Sequence, residues 1–151
     1  MSEHMNESLS DELLRLDRQL CFPLYACSRK VVNLYTPFLK PLGITYTQYI
    51  VMLVLWEKDN IKVGTLCERL YLDNGTVTPL LKKLEEKGYI HRERDTVDER
   101  VVYIKLTDAG RKLKEQAREI PVKVGSCLSL TQEEAAQLYT ILYQVMNQKT
   151  E

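Results

Sequence analysis

With 151 residues, 44% of them hydrophobic and 28% charged, the chain suits one soluble globular domain with a sizeable core. Its 21 Lys and Arg balance 21 Asp and Glu, which excludes an overall positive field for collecting nucleic acid and leaves that work to local charge. No apolar run approaches the roughly 20 residues that span a bilayer, and the polar, acidic start Met1 to Ser10 is no secretory signal, so a cytoplasmic protein with no membrane partner is expected.

In chain order, residues 1–10 read as a flexible N-terminus and 11–151 as a single domain. A helical region covers about 11–40, interrupted or restarted near Pro23 and ended by Pro41 and Gly43. Thr45 to Glu57 is apolar on most sides, which predicts a buried helix. Val63, Leu66, Cys67 and Leu70 then fall at helical spacing, and Val77, Leu80, Leu81 and Leu84 repeat it. Only Tyr71–Gly75 separates the two stripes, so they predict a helix-turn-helix. Either Thr76 or Asp73 caps the second helix. Thr76 places Pro79 in the first turn, whereas Asp73 places it in the interior.

Gly88 predicts the end of that helix. Residues 90–94 and 101–106 alternate on either side of a polar Asp95–Glu99 tip, the pattern of a hairpin. Thr107 predicts a cap for a helix running to about Ile120, before Pro121. Thr131 and Glu134 form a capping box that starts a last helix, with Leu138, Ile141, Leu142 and Val145 on one face.

Helices, helix-turn-helix, hairpin, helices is a mainly α fold with a small β-hairpin (α+β). It predicts a winged helix-turn-helix at about 45–107. The flanking helices, about 11–40 and 108–148, have apolar faces and little central domain to cover, so they are expected to dimerise. A two-fold homodimer presents two reading heads to a palindromic double-stranded DNA operator.

The segment from Leu72 to Gly110 carries the DNA reading. Small polar groups and lysines at Asp73, Asn74, Thr76, Thr78, Pro79, Lys82 and Lys83 are candidates for base edges and phosphates. The hairpin adds Arg92, Arg94 and Arg100, with Asp98 placed to hold the Arg100 guanidinium before it meets DNA. Residues 82–118 hold eleven bases against eight acids, whereas 1–20 hold five acids against two bases. Taken singly, each of these groups also fits an ordinary solvated face; the hairpin directly after a helix-turn-helix decides for DNA.

Four cysteines stand far apart, without a Cys-x-x-Cys pair, and read as free thiols. Cys67 falls in a core stripe and Cys27 fits core or interface. Cys21 lies just before Pro23, where a helix N-terminus is expected to favour a thiolate. The phenols of Tyr25, Tyr35 and Tyr46 are available to hydrogen-bond such a sulfur.

Leu70–Leu84 (LYLDNGTVTPLLKKL), Asp98-Glu-Arg100 and Ile104-Lys-Leu-Thr107 together resemble the MarR family of dimeric winged-helix repressors. Gln19-Leu-Cys-Phe22, Tyr25 and Ile44-Thr-Tyr-Thr-Gln-Tyr49 resemble its organic-hydroperoxide-sensing, OhrR-like branch, and the match covers about residues 12–147. The resemblance implies that Cys21 is the peroxide sensor and that Tyr35 and Tyr46 bond it from the partner subunit. It further implies that oxidation to a sulfenic acid leads to a mixed disulfide with a low-molecular-weight thiol, or to a disulfide with a resolving cysteine such as Cys127. Pro23 and Asn74 depart from the family pattern, where an aliphatic residue and a serine are common.

The expected function is a repressor released from its operator by an organic hydroperoxide. The alternative is a MarR-type repressor released by a small aromatic or phenolic ligand, with Cys21 structural. A thiol peroxidase is disfavoured: there are two histidines, no Cys-x-x-Cys and no Gly-rich phosphate loop. The cysteines and histidines lack metal-ligand spacing, so neither a metal site nor a cofactor is expected. An interaction module using only the end helices is a further reading, which DNA affinity would exclude.

Overall fold

The computed structural model describes residues 11–148, so the flexible N-terminus expected for 1–10 lies outside the described residues. The chain divides into two compact units, Met1–Arg118 and Glu119–Glu151.

In the first unit residues 11–13 are helical and a 3-10 turn, Leu16–Arg18, follows them before α1, Cys21–Leu39. The helical region expected over about 11–40 is thus interrupted over 14–20 and restarts at Cys21, with Pro23 in the first turn, where a missing N–H costs no internal bond. A 3-10 turn over Lys40–Leu42 and Gly43, at φ 68°, reverse the chain. Gly43 suits this place because the left-handed region penalises a Cβ.

Helix α2, Tyr46–Glu57, starts on a full capping box. Thr45 Oγ1 accepts from the Gln48 N–H at 3.3 Å, and Gln48 Oε1 accepts from the Thr45 N–H at 3.2 Å. Tyr49, Val51, Met52, Val54 and Leu55 are all buried, so α2 is the central helix of the unit. Burial of each such side chain is worth about 1.5–3 kcal/mol.

A short strand that the sequence analysis did not predict, β1 (Ile61–Lys62), leads into α3, Val63–Leu70. The turn to α4, Asn74–Glu86, passes through Tyr71 at φ 53°, and the Leu72 N–H closes it on the Cys67 carbonyl at 3.1 Å. Val77, Leu81 and Leu84 of α4 are fully buried, and Leu80 is half-buried. Gly88, at φ 76°, ends α4: its N–H bonds the Glu85 carbonyl at 2.9 Å and the Tyr89 N–H bonds the Leu84 carbonyl at 3.0 Å. This is the paired closure that a left-handed glycine allows.

Strands β2 (Ile90–Arg94) and β3 (Val102–Leu106) pair antiparallel with Arg92 opposite Ile104. The third strand joins on the other edge, with Ile61 opposite Ile104, giving the order β1-β3-β2. The wing is therefore a three-stranded sheet rather than a bare hairpin. Helix α5, Asp108–Ala117, starts on Thr107, whose Oγ1 accepts from the Gly110 N–H at 3.0 Å.

In the second unit, Pro121 does not end a long helix. It occupies the first turn of a separate one, α6, Ile120–Ser126, so the segment before Cys127 is helical rather than a loop. Helix α7, Gln132–Met146, starts on the predicted capping box: Thr131 Oγ1 accepts from Glu134 N–H at 3.2 Å, and Glu134 Oε2 accepts from Thr131 N–H at 2.8 Å. Tyr139, Ile141, Tyr143 and Val145 on α7 remain exposed.

Candidate DNA-reading face and thiol site

Asp73 settles the capping of α4. Its Oδ1 accepts from the Thr76 N–H at 2.7 Å and its Oδ2 from the Thr76 hydroxyl at 3.2 Å. These bonds, the backbone one first, hold the Asp73 carboxyl below its ordinary range. Pro79 is then the sixth residue of the helix and lies in its interior. It is exposed and has no N–H to offer the Gly75 carbonyl.

The small polar groups at the front of α4 are ordered by the protein itself. The Thr78 hydroxyl donates to the Asn74 carbonyl at 2.7 Å, and the Asn74 side-chain oxygen accepts from Cys67 Sγ at 3.3 Å. Donating in this way leaves the hydroxyl lone pairs of Thr76 and Thr78 free to accept. Cys67 is buried as expected, and desolvation pushes its thiol up, with the Asp73 charge adding to the effect. Lys82 and Lys83 are exposed one turn further along.

A cleft of about 590 Å³ separates this helix front from the wing. Asn74 and Thr78 line one wall, Arg92 and Arg100 the other, and Lys62 completes it. Lys62 leaves no mark in the sequence pattern, because the two-residue strand that carries it has no periodic signal. Its Nζ lies 5.9 Å from the Tyr103 ring centroid, within reach of a cation–π contact.

The wing residues differ in their commitments. Arg92 is taken up by Glu85 of α4: its N–H reaches Oε1 at 2.9 Å, and its Nε and Nη2 reach Oε2 at 2.8 and 2.7 Å. The Arg92 side-chain bond is the leading cause that holds the Glu85 carboxyl below its usual range. Arg92 thus braces the wing against the reading helix, a role the sequence analysis did not assign. Arg94 is exposed at the end of β2. Arg100 has a side chain 90% exposed, yet Asp98 grips it through Nε at 3.0 Å and Nη2 at 3.2 Å. This fork, with the Arg100 N–H, keeps the Asp98 carboxyl below the usual range. Asp95 shapes the tip by accepting from the N–H groups of Val97 and Asp98 at 2.7 and 3.1 Å.

Cys21 is exposed as the first residue of α1. Tyr25, one turn along, is exposed; its hydroxyl accepts from Arg29 at 3.3 Å and its ring carries the same guanidinium at 5.6 Å. Tyr35 and Tyr46 do meet, with ring centroids 4.9 Å apart, and Tyr49 joins them at 5.7 and 6.4 Å. Burial pushes all three phenols up, and the neighbouring phenols raise Tyr46 and Tyr49 further. They are therefore proton donors at neutral pH. Cys21 and Tyr35 stand fourteen residues apart on one helix, about 21 Å at 1.5 Å per residue. No hydrogen bond within one chain spans that distance.

Cys127 is exposed at the C-terminal cap of α6, where its Sγ donates to the Lys123 carbonyl at 3.3 Å. Cys27 is exposed, so it is not core within one chain. Among the described residues, no cluster of His, Cys, Asp and Glu is placed to hold a metal ion, and no single helix is long and apolar enough to cross a membrane.

A helix-turn-helix with a braced, arginine-tipped sheet beside it defines a winged-helix DNA-binding regulator. Comparison with known proteins narrows the class. The family model described as "Transcriptional regulator SarA/Rot" matches residues 33–117. The chain is 44% identical to the organic hydroperoxide resistance transcriptional regulator of Bacillus subtilis, over 88% of this chain and 90% of that one. It is 42% identical to the HTH-type transcriptional regulator SarZ of Staphylococcus saprophyticus, over 87% and 90%. The structure of reduced AbfR bound to DNA, from Staphylococcus epidermidis, superposes with a TM-score of 0.76 at 37% identity, covering 92% of this chain and 96% of that one. The chain belongs to the MarR family of winged-helix transcriptional regulators, in its OhrR-like branch, and these relatives are regulators rather than enzymes.

Proposed function

We propose that the protein is a homodimeric repressor whose Cys21 is oxidised by organic hydroperoxides and which then releases a palindromic operator. The carrying observation is the separation of Cys21 from Tyr35 and Tyr46. An exposed sulfur and a protonated phenol cluster stand about 21 Å apart in one chain, so a second copy is needed to join them. The exposed apolar residues Leu13, Leu14, Leu20 and Phe22 near Cys21, and Tyr139, Ile141, Tyr143 and Val145 on α7, supply surface for that copy.

The chemistry balances as follows. The Cys21 thiolate attacks the distal oxygen of the hydroperoxide and the O–O bond breaks. The sulfur becomes a sulfenic acid, and the leaving alkoxide takes a proton to give the alcohol. Phenol donors from the partner's Tyr35 and partner's Tyr46 steady the anionic sulfur, and Tyr25 lies one turn along the same helix. A second thiol then displaces water from the sulfenic acid and forms a disulfide. Cys127 is the candidate within the dimer, and a low-molecular-weight thiol the candidate from solution.

On the DNA, Thr76, Thr78, Lys82 and Lys83 face base edges and phosphates, with Asn74, Pro79 and the capping Asp73 forming the helix front. Arg94 and Arg100 approach the backbone or minor groove, with Asp98 orienting Arg100. Arg92 acts through its brace to Glu85. Mass spectrometry of the intact dimer with peptide mapping, before and after an organic hydroperoxide, is the test. Oxygen or a disulfide is expected on the Cys21 peptide first; a Cys21 that stays reduced while the operator is released sinks the assignment and favours release by a small ligand.

A further inference from the structure

The C-terminal end of the reading helix is tied to the corner that carries Tyr46. Lys87 follows the last residue of α4, and its Nζ donates both to the Gly43 carbonyl and to Gln48 Oε1, the latter at 3.0 Å. Gln48 is only 2% exposed, and the same Oε1 accepts the Thr45 N–H in the capping box of α2. Two residues further on, the Tyr89 hydroxyl donates to the Leu42 carbonyl at 3.2 Å. The end of α4 thus holds three successive parts of the α1–α2 corner: Leu42, Gly43 and Gln48.

Tyr46 is the first residue of α2, one position after the cap that Gln48 closes, and its ring packs on Tyr35. A shift of Tyr46 has to move the capping box, and the box shares its acceptor with Lys87. A buried amide that accepts a charged donor cannot give up that bond without leaving a polar group desolvated. The corner and the end of the reading helix therefore move together or part at a cost.

We propose that Lys87 is a positioning residue that couples the Tyr35–Tyr46 cluster to the reading helix, so that a change at the tyrosines re-aims α4. The proposal rests on the reading of Cys21 and these tyrosines given above, for its trigger but not for the coupling. Sequence patterns concealed it, because Lys87 looks like a solvated helix-end lysine and Gln48 like a polar position on a buried helix.

Two measurements on the full-length protein test it, both by operator binding followed as fluorescence anisotropy. In the reduced protein, a double-mutant cycle of Tyr46→Ala and Lys87→Met is expected to be non-additive. Additive effects overturn the coupling whether or not peroxide acts at Cys21. In the second measurement, the ratio of reduced to oxidised affinity is compared for wild type, Lys87→Met and Lys87→Arg at equal Cys21 oxidation, verified by mass. Allosteric couplings commonly span roughly 5–150-fold. The ratio is expected to shrink several-fold in Lys87→Met and to recover in Lys87→Arg. An unchanged ratio in Lys87→Met, or a change traced wholly to slower oxidation of Cys21, overturns the proposal. Failure of the wild type to respond to oxidation counts against the sensor reading alone, and the cycle still decides the coupling.

Discussion

Gly110→Ala is expected to destabilise the protein more than a typical surface change. A Cβ built at Gly110 lies 2.1 Å from the Tyr89 carbonyl oxygen and 3.1 Å from its carbon, both backbone atoms, and 3.2 Å from Leu106 Cδ2. That carbonyl is not free to turn away, since it accepts the Thr107 N–H at 3.0 Å. Relief requires the start of α5 to move off the base of the wing. Such movement also strains the bond from Trp56 Nε1 to the Gly110 carbonyl, 2.9 Å long. Overpacking of this kind costs about 1–3 kcal/mol and occasionally more, against the roughly 0.5–1 kcal/mol that alanine gains over glycine inside a helix. Each net kcal/mol lowers the melting temperature of a chain this size by about 2–4 °C. Thermal unfolding followed by circular dichroism checks it; an unchanged or raised midpoint would show that α5 relaxes freely.

Arg100→Ala is expected to weaken operator binding by about 1–3 kcal/mol, or roughly 5–150-fold, without altering the fold. The guanidinium is almost wholly exposed, so its loss removes no core contact, yet Asp98 already holds it in a forked geometry at the wing tip. A side chain ordered before binding loses less entropy when it docks. Equal affinity of the variant and wild type at moderate salt would remove the wing tip from the DNA interface. The slope of log affinity against log salt distinguishes a phosphate contact, which lowers the slope, from a base-edge contact, which leaves it nearly unchanged.

Much of this architecture was legible in residue order. The stripe Val77/Leu81/Leu84, Gly88, the alternating strands and the Thr131–Glu134 box each act locally, and each appears where its spacing predicts. What was hidden depends on contacts that spacing alone does not reveal. Strand β1 has only two residues and exists because Ile61 finds Ile104 across the sheet. Pro121 looked like a stop because proline both ends a helix and opens the next, and only its neighbours decide between the two. The brace from Arg92 to Glu85 was not legible, since nothing in an alternating strand reveals that Glu85 sits in front of it. Asp73 and Thr76 were equally good caps by type; the backbone turn through Tyr71 brings the Asp73 carboxylate to the Thr76 N–H.

The thiol site was readable to a different depth. Motif and helix start both pointed to Cys21, which is the first residue of α1, and the structure brings Tyr35 against Tyr46. The distance along α1 adds that the proposed contact between Cys21 and Tyr35 requires a second copy. Cys127 could not be placed from its surroundings, because the short helix that ends on it carries Pro121 in its first turn, where a proline also reads as a stop.

The most direct measurement is the release of a labelled operator duplex, selected from a random pool by the reduced protein, as an organic hydroperoxide is titrated in. Wild type and Cys21→Ser are predicted to bind it equally when reduced. Wild type is predicted to dissociate as peroxide rises, and Cys21→Ser to stay bound over the same range. Dissociation of Cys21→Ser at the wild-type dose would contradict the account.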